Sequence, residues 1–217
     1  MLFFTSDLHF GHEKIIKACR RPFNSVEEMD HKLVDNWNAT VGTRDDVYIL
    51  GDFAMRLDMA RIHEILEQLK GRKHLIFGNH DHEISRHRYY FRDVLSSMRD
   101  LYLLRLPRFD RRLVLCHYPM MFWCGDYDPK FIHLYGHIHN NAHDMVWASH
   151  LRNAYNVGVD VNNYRPISID EVLEKIRVHN EELPLSQSIN PPLECRATVP
   201  ELSVVKPQTD PQSKTED

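Results

Sequence analysis

The sequence is short of cysteine and of long apolar runs, it carries no marked excess of one charge, and each shortage removes a class of protein. Its four cysteines, Cys19, Cys116, Cys124 and Cys195, form no CxxC pair and no dense framework. That excludes a disulfide-stapled scaffold and a cysteine-rich zinc site, and it fits reduced thiols in a cytoplasmic protein. No window stays apolar for the ~18 residues that a membrane-crossing helix requires, so a soluble chain with no membrane partner is expected. Met1 to Phe4 lead directly to Asp7, without the cationic and apolar regions of a secretory signal. Lys and Arg number 27 against 31 Asp and Glu, leaving a formal charge of -4 over 217 residues. With that balance no stable nucleic-acid partner is expected, and small or transiently held substrates are implied.

What is present is an alternation of short apolar runs and amphipathic stretches. Leu2 to Ser6, Val47 to Leu50 and Leu75 to Phe77 read as strands. Ser25 and Glu28 have capping-box spacing ahead of Met29, Leu33 and Val34, and Leu57 to Leu69 reads as a helix with Ala60, Ile65, Leu66 and Leu69 on one face, stopped at Gly71. Strand alternating with helix predicts a layered α/β sheet. The second half predicts another sheet: an antiparallel hairpin from Leu101–Leu106 and Leu113–Cys116, then strands at Phe131–Tyr135 and Tyr155–Val161. Ser168 and Glu171 open a last helix reaching about Val178. We therefore expect one domain over residues 1–182 and a proline-rich, disordered tail over 183–217, with prolines at 184, 191, 192, 200, 207 and 211.

The informative residues are those that follow the strands. Asp7 and His9 follow the first, Asp52 the second, Asn79 and His80 the third, His117 the hairpin, and His137 and His139 the next strand. In open α/β sheets ligands bind outside the carboxyl ends of strands, so these side chains are positioned to converge. Asp and Asn are ordinary turn residues, but turn chemistry has no general demand for histidine. The set reads as a metal site. Asp7, His9, Asp52, Asn79, His117, His137 and His139 outnumber the four ligands of one closed zinc site, which points to two divalent ions. Mixed imidazole and carboxylate donors suit manganese, iron, cobalt, nickel or zinc better than magnesium or calcium.

The ordered blocks SDLH at 6–9, GD at 51–52, GNHD at 78–81, His117 and GHIH at 136–139 resemble the calcineurin-like metallophosphoesterase family. The SDLHFGH opening and the NVGVDVNNYRP stretch are similar to its small bacterial and phage members. The resemblance implies a four-layer α-β-β-α sandwich with two central mixed β-sheets. It assigns Asp7, His9 and His139 to one ion, Asn79, His117 and His137 to the other, and Asp52 to both. His80 becomes the acid that protonates the leaving oxygen, with Asp81 holding it. The activity implied is hydrolysis of a phosphate ester, foremost a phosphodiester or nucleotide-type substrate, by hydroxide generated at two transition-metal ions, manganese foremost. A phosphomonoesterase, a nuclease or a non-catalytic binding scaffold are the alternatives. The protein phosphatases of this superfamily carry GDxVDRG and GNHE where this chain reads GDFAMRL and GNHD, which disfavours a protein substrate. Arg56 stands at the arginine position of the former motif, as a phosphate clamp or an exposed residue at a helix start. His12 is a candidate for contact with substrate or with the outer shell of the metal, or else a solvent-facing residue. The MMFW run at 120–123 forms either an apolar wall beside the site or core.

Overall fold

The computed structural model describes residues 1–192. Five strands form the first sheet: β1 (Leu2–Thr5), β2 (Asp46–Leu50), β3 (Arg72–Ile76), β4 (Ser97–Arg99) and β9 (Ile167–Ser168), in the order β4-β3-β2-β1-β9. The second sheet is β5 (Tyr102–Leu106), β6 (Arg111–Leu115), β7 (Phe131–Tyr135) and β8 (Ala154–Asn156), in sequential order. Both sheets are mixed. Neighbours from β1 to β4 run parallel and β9 runs against β1; β6, β7 and β8 run parallel and β5 runs against β6.

Strands buried on both faces read as continuous apolar runs, and alternate residues then serve different cores. Phe3, Val47, Ile49 and Leu75 pack against Met29, Leu33 and Trp37 of α2 (Val26–Thr40) and Ile62, Ile65 and Leu66 of α3 (Met59–Gln68). Their neighbours Phe4, Tyr48, Leu50 and Ile76 face Leu113, Leu115, Ile132 and Leu134 of the second sheet. Val114 and Tyr135, on the far side of that sheet, meet Ala148 of α5 (Ala142–Ala148) and Trp123. Three apolar seams thus separate helices, sheet, sheet and helix. The short α1 (Glu13–Ala18) and α4 (His82–Arg86) add Ile15 and Ile84 to the first seam, and α6 (Ile169–Glu182) adds Ile169, Val172 and Ile176 to the second.

Several sequence expectations shift. Ala60 is exposed, and Ile62 takes its place on the buried face of α3. In the first capping box it is the Asn24 backbone N–H, rather than that of Ser25, that donates to the Glu28 carboxylate. The strand expected over 155–161 stops at Asn156 and becomes a single 3-10 turn at Val159–Val161. The start of the expected tail is docked on the domain rather than disordered. Asn190 is buried and exchanges two bonds with the Arg152 backbone, while the Ile189 N–H donates to the His150 carbonyl. Proline content signals a lack of regular structure, but two asparagine–backbone bonds dock a chain without any. The remainder of that expected tail, 193–217, lies outside the described residues. No helix among those described is long and apolar enough to cross a membrane.

Candidate metal centre

Because β1, β2, β3, β6 and β7 are mutually parallel within their sheets, their carboxyl ends deliver Asp7, Asp52, Asn79, His117 and His137 to one edge. The backbone turns sharply there. Of the eleven non-glycine residues with left-handed φ among those described, five are candidate ligands, Asp7, His9, Asp52, His137 and His139, and another is Arg56, the candidate phosphate clamp. Such conformations cost on the order of 1–3 kcal/mol each and gather where surrounding structure enforces them for function. In the GHIH segment His137 and His139 themselves, not the glycine, take the left-handed turns, at φ 72° and 50°. Gly136 instead permits close approach, since a Cβ there would strike Ser6 and the Asp7 carboxylate, and Gly78 does the same for Asp52.

Asp52 is the hub. Its Oδ2 lies 3.4 Å from His9 Nε2 and its Oδ1 3.6 Å from His117 Nε2, so the two oxygens address opposite halves of the cluster. On one side stand Asp7, His9 and His139, with His139 Nε2 4.0 Å from Asp7 Oδ1. On the other, His117 Nε2 is 3.0 Å from Asn79 Oδ1 and 3.2 Å from His137 Nδ1. His117 Nδ1 donates to the Leu50 carbonyl at 2.8 Å, which leaves a lone pair on Nε2. The His9 Nε2 is buried without a hydrogen-bond partner. Burial pushes the Asp7 carboxyl up to about 6 and holds the His9 imidazole far below its ordinary value, with neighbouring His139 and Arg21 adding to the second effect.

All seven expected ligands are therefore brought together. His80 joins them at the rim, its Nε2 4.0 Å from Asp52 Oδ2 and its backbone N–H donating to Asp52 Oδ1 at 2.9 Å. His12 approaches His9, Nδ1 to Nδ1, at 3.2 Å, so it touches a candidate ligand rather than facing only solvent. Exposed Arg56 lines a cleft of about 310 Å³ together with His80. A second cleft of about 520 Å³ opens beside His137 and His139, between α1 and the start of α5. Asp81 requires correction. Its carboxylate does not reach the His80 ring; it accepts the backbone N–H groups of Gly78, Asp52 and Phe53 at 2.7–2.9 Å. Three amide bonds occupy most of its acceptor sites, so Asp81 ties the β2 and β3 loops together rather than bonding the His80 ring.

Two residues went unread in the sequence. The Asp160 carboxylate accepts from His139 Nδ1 at 2.7 Å and is gripped by Arg21 through Nε at 2.8 Å and a terminal nitrogen at 2.9 Å. Arg21 also donates to the carbonyls of Asp7 and Leu8, which fixes the left-handed turn at Asp7. Burial disfavours a charge on His139, yet Asp160 and Asp7 together push it up to about 10. Asp160 had one signal, a charged residue among Val157, Val159 and Val161, where an acid requires a buried partner. Arg21 had none.

The class so defined is an α/β sandwich of two mixed sheets with a buried histidine–aspartate cluster at a shared sheet edge. An uncharacterized protein of Methanocaldococcus jannaschii is 34% identical over 177 residues, 81% of this chain and 90% of that protein. The gene 66 protein of Mycobacterium phage L5 is 30% identical over 210 residues, 82% of this chain and 96% of its own length. The chain belongs to the family these proteins represent. A crystal structure of a protein of unknown function from Aquifex aeolicus is similar in fold, with a TM-score of 0.64 and 25% identity over 81% of this chain and 99% of that one. No family model matches.

Proposed function

We propose that the chain is a dinuclear metal-dependent phosphoesterase on a metallophosphoesterase fold, hydrolysing phosphodiesters or nucleotide-type esters. The carrying observation is the arrangement around Asp52, where two groups of lone-pair donors flank the two oxygens of one buried carboxylate. Ligand atoms about 2.1 Å from a shared transition ion stand ~3 Å apart when at right angles, and His117 Nε2 has Asn79 and His137 atoms at 3.0 and 3.2 Å. The partnerless His9 Nε2 supplies a donor on the other side. The donor set thus fits two ions, and its nitrogen content favours manganese, iron, cobalt, nickel or zinc.

Asp7, His9 and His139 would hold one ion, Asn79, His117 and His137 the other, with Asp52 shared. When bound, such ions act as Lewis acids toward a phosphoryl oxygen and lower the pKa of water. His80, with its side chain one-third exposed at the rim, is placed to give a proton to the departing alkoxide, and its backbone bond to Asp52 fixes its distance from the cluster. Arg56 on the cleft wall offers a charged donor to a non-bridging phosphate oxygen. His12 orients His9, and Asp81 holds Asp52 by its amide.

Protein loaded in turn with manganese, iron, cobalt, nickel and zinc is expected to hydrolyse bis-p-nitrophenyl phosphate; no turnover with any of them overturns the reading. His80→Ala is expected to lower kcat about 10²-fold or more while both ions stay bound, as measured by elemental analysis. Loss of an ion in that variant would make His80 a ligand instead.

A further inference from the structure

The loop between β6 and β7 holds apolar side chains out beside the cluster from a fixed base. Trp123 is buried and packs against His133, rings tilted by 38° with centroids 5.2 Å apart. His133 donates from Nδ1 to the Val114 carbonyl at 2.9 Å and accepts the Met120 N–H at Nε2 at 3.1 Å. Gly125 turns left-handed where a Cβ would strike the Phe131 ring. From this base Tyr118, Met121 and Phe122 stand 44%, 45% and 61% exposed. The MMFW run is thus divided, with Trp123 in the core and Met121 and Phe122 outside it. An anchored loop that keeps aromatic groups in water is characteristic of a binding surface.

Tyr118 is the member nearest the chemistry. Its ring centroid lies 4.9 Å from that of His117 and 4.8 Å from that of His137, crosswise to both. From Tyr118 to Trp123 the loop carries no ionisable group other than the tyrosine hydroxyl. The loop thus offers an apolar, uncharged lining with an aromatic ring directly beside the cluster.

Resting on the phosphoesterase reading, we propose that Tyr118 is a specificity-determining residue that stacks the nucleobase of a nucleoside phosphate ester. Every base presents a π-face to an aromatic ring, and such stacking contributes on a scale that an affinity ratio resolves. A ribose phosphate lacking the base offers the same anion and nothing to stack.

The test compares binding of adenosine 5′-monophosphate and ribose 5-phosphate to the manganese-loaded full-length protein by titration calorimetry, with bound metal quantified in each variant. Wild type is expected to prefer the nucleotide about tenfold, equivalent to ~1.4 kcal/mol. Tyr118→Leu keeps apolar bulk against both imidazoles and is expected to abolish that preference, whereas Tyr118→Phe retains it within about twofold. Equal affinity for the two ligands in wild type, or a preference that survives in Tyr118→Leu, overturns the inference and leaves the phosphoesterase reading intact. A weakening of both ligands alike in Tyr118→Leu assigns the ring to supporting the imidazoles and also overturns it. Metal-loaded wild type that binds neither phosphate overturns the phosphoesterase reading itself.

Discussion

At the scale of single residues, the cluster depends on a buried pair that takes no part in it directly. Arg21 and Asp160 are both fully shielded from water, and their charges are matched by two short bonds to each other, two carbonyls and the His139 imidazole. A carboxylate behind a ligating histidine fixes its tautomer and raises its basicity, and removing one costs 10–100-fold in metal affinity. Asp160→Asn keeps the shape and one acceptor oxygen but removes the charge. It is expected to weaken manganese binding by about tenfold or more, measured by competition with a chromophoric chelator. Asp160→Ala should in addition lower stability by roughly 3–5 kcal/mol by stranding Arg21. Unaltered metal affinity in Asp160→Asn would reduce the pair to a structural tie. The clustered side chains were legible because histidine after an apolar strand has no simple turn role. Their supports were not, since the Arg21–Asp160 contact spans 139 positions and no local pattern announces such a pairing.

At the scale of elements, the best-read features were those whose physics is local. The capping box at Ser168 forms as expected: the serine Oγ accepts the Glu171 N–H and the glutamate accepts the Ser168 N–H at 3.0 Å. Arg165 adds a 2.6 Å bond that holds the Glu171 carboxyl down to about 2. Because α6 closes the seam between the sheets, loss of its cap acts on the whole domain. Ser168→Ala is expected to cost about 1 kcal/mol and to lower Tm by ~2–4 °C, read by thermal denaturation. Apart from β4 and β9, of three and two residues, strand and hairpin positions were equally legible from apolar runs of the right length. The short α1, α4 and α5 were not, because a helix of five to seven residues spans too few turns to show a period. The end of the strand expected at 155–161 was missed because a local side chain, not the apolar pattern, sets it. Asn162 Nδ2 bonds the carbonyls of Asn156 and Gly158, bending valine-rich chain into the turn that presents Asp160.

At the scale of the whole molecule, the two sheets meet through an apolar seam, and the cluster sits where their parallel carboxyl ends coincide, so stability and site geometry are coupled. His133 links the two. It is buried within the second sheet, anchors the loop that carries Tyr118, and has its imidazole pushed down to about 4 by burial, against backbone bonds that favour its charged form. Its folded pKa lies below the unfolded value near 6.5, so between about 6.5 and 4 the unfolded chain binds the proton and the folded chain does not. The contribution of His133 is fully present above pH 6.5, falls as pH drops through that window, and levels off below about 4; the greatest possible loss is ~3 kcal/mol at 1.36 kcal/mol per unit. Urea denaturation of the wild type is expected to show this decline between pH 7.5 and 4.5. His133→Asn, which keeps polar atoms at the site but does not titrate, should be less stable at pH 7.5 and show a shallower slope over the same interval. Parallel slopes for the two proteins would place the acid sensitivity elsewhere in the fold.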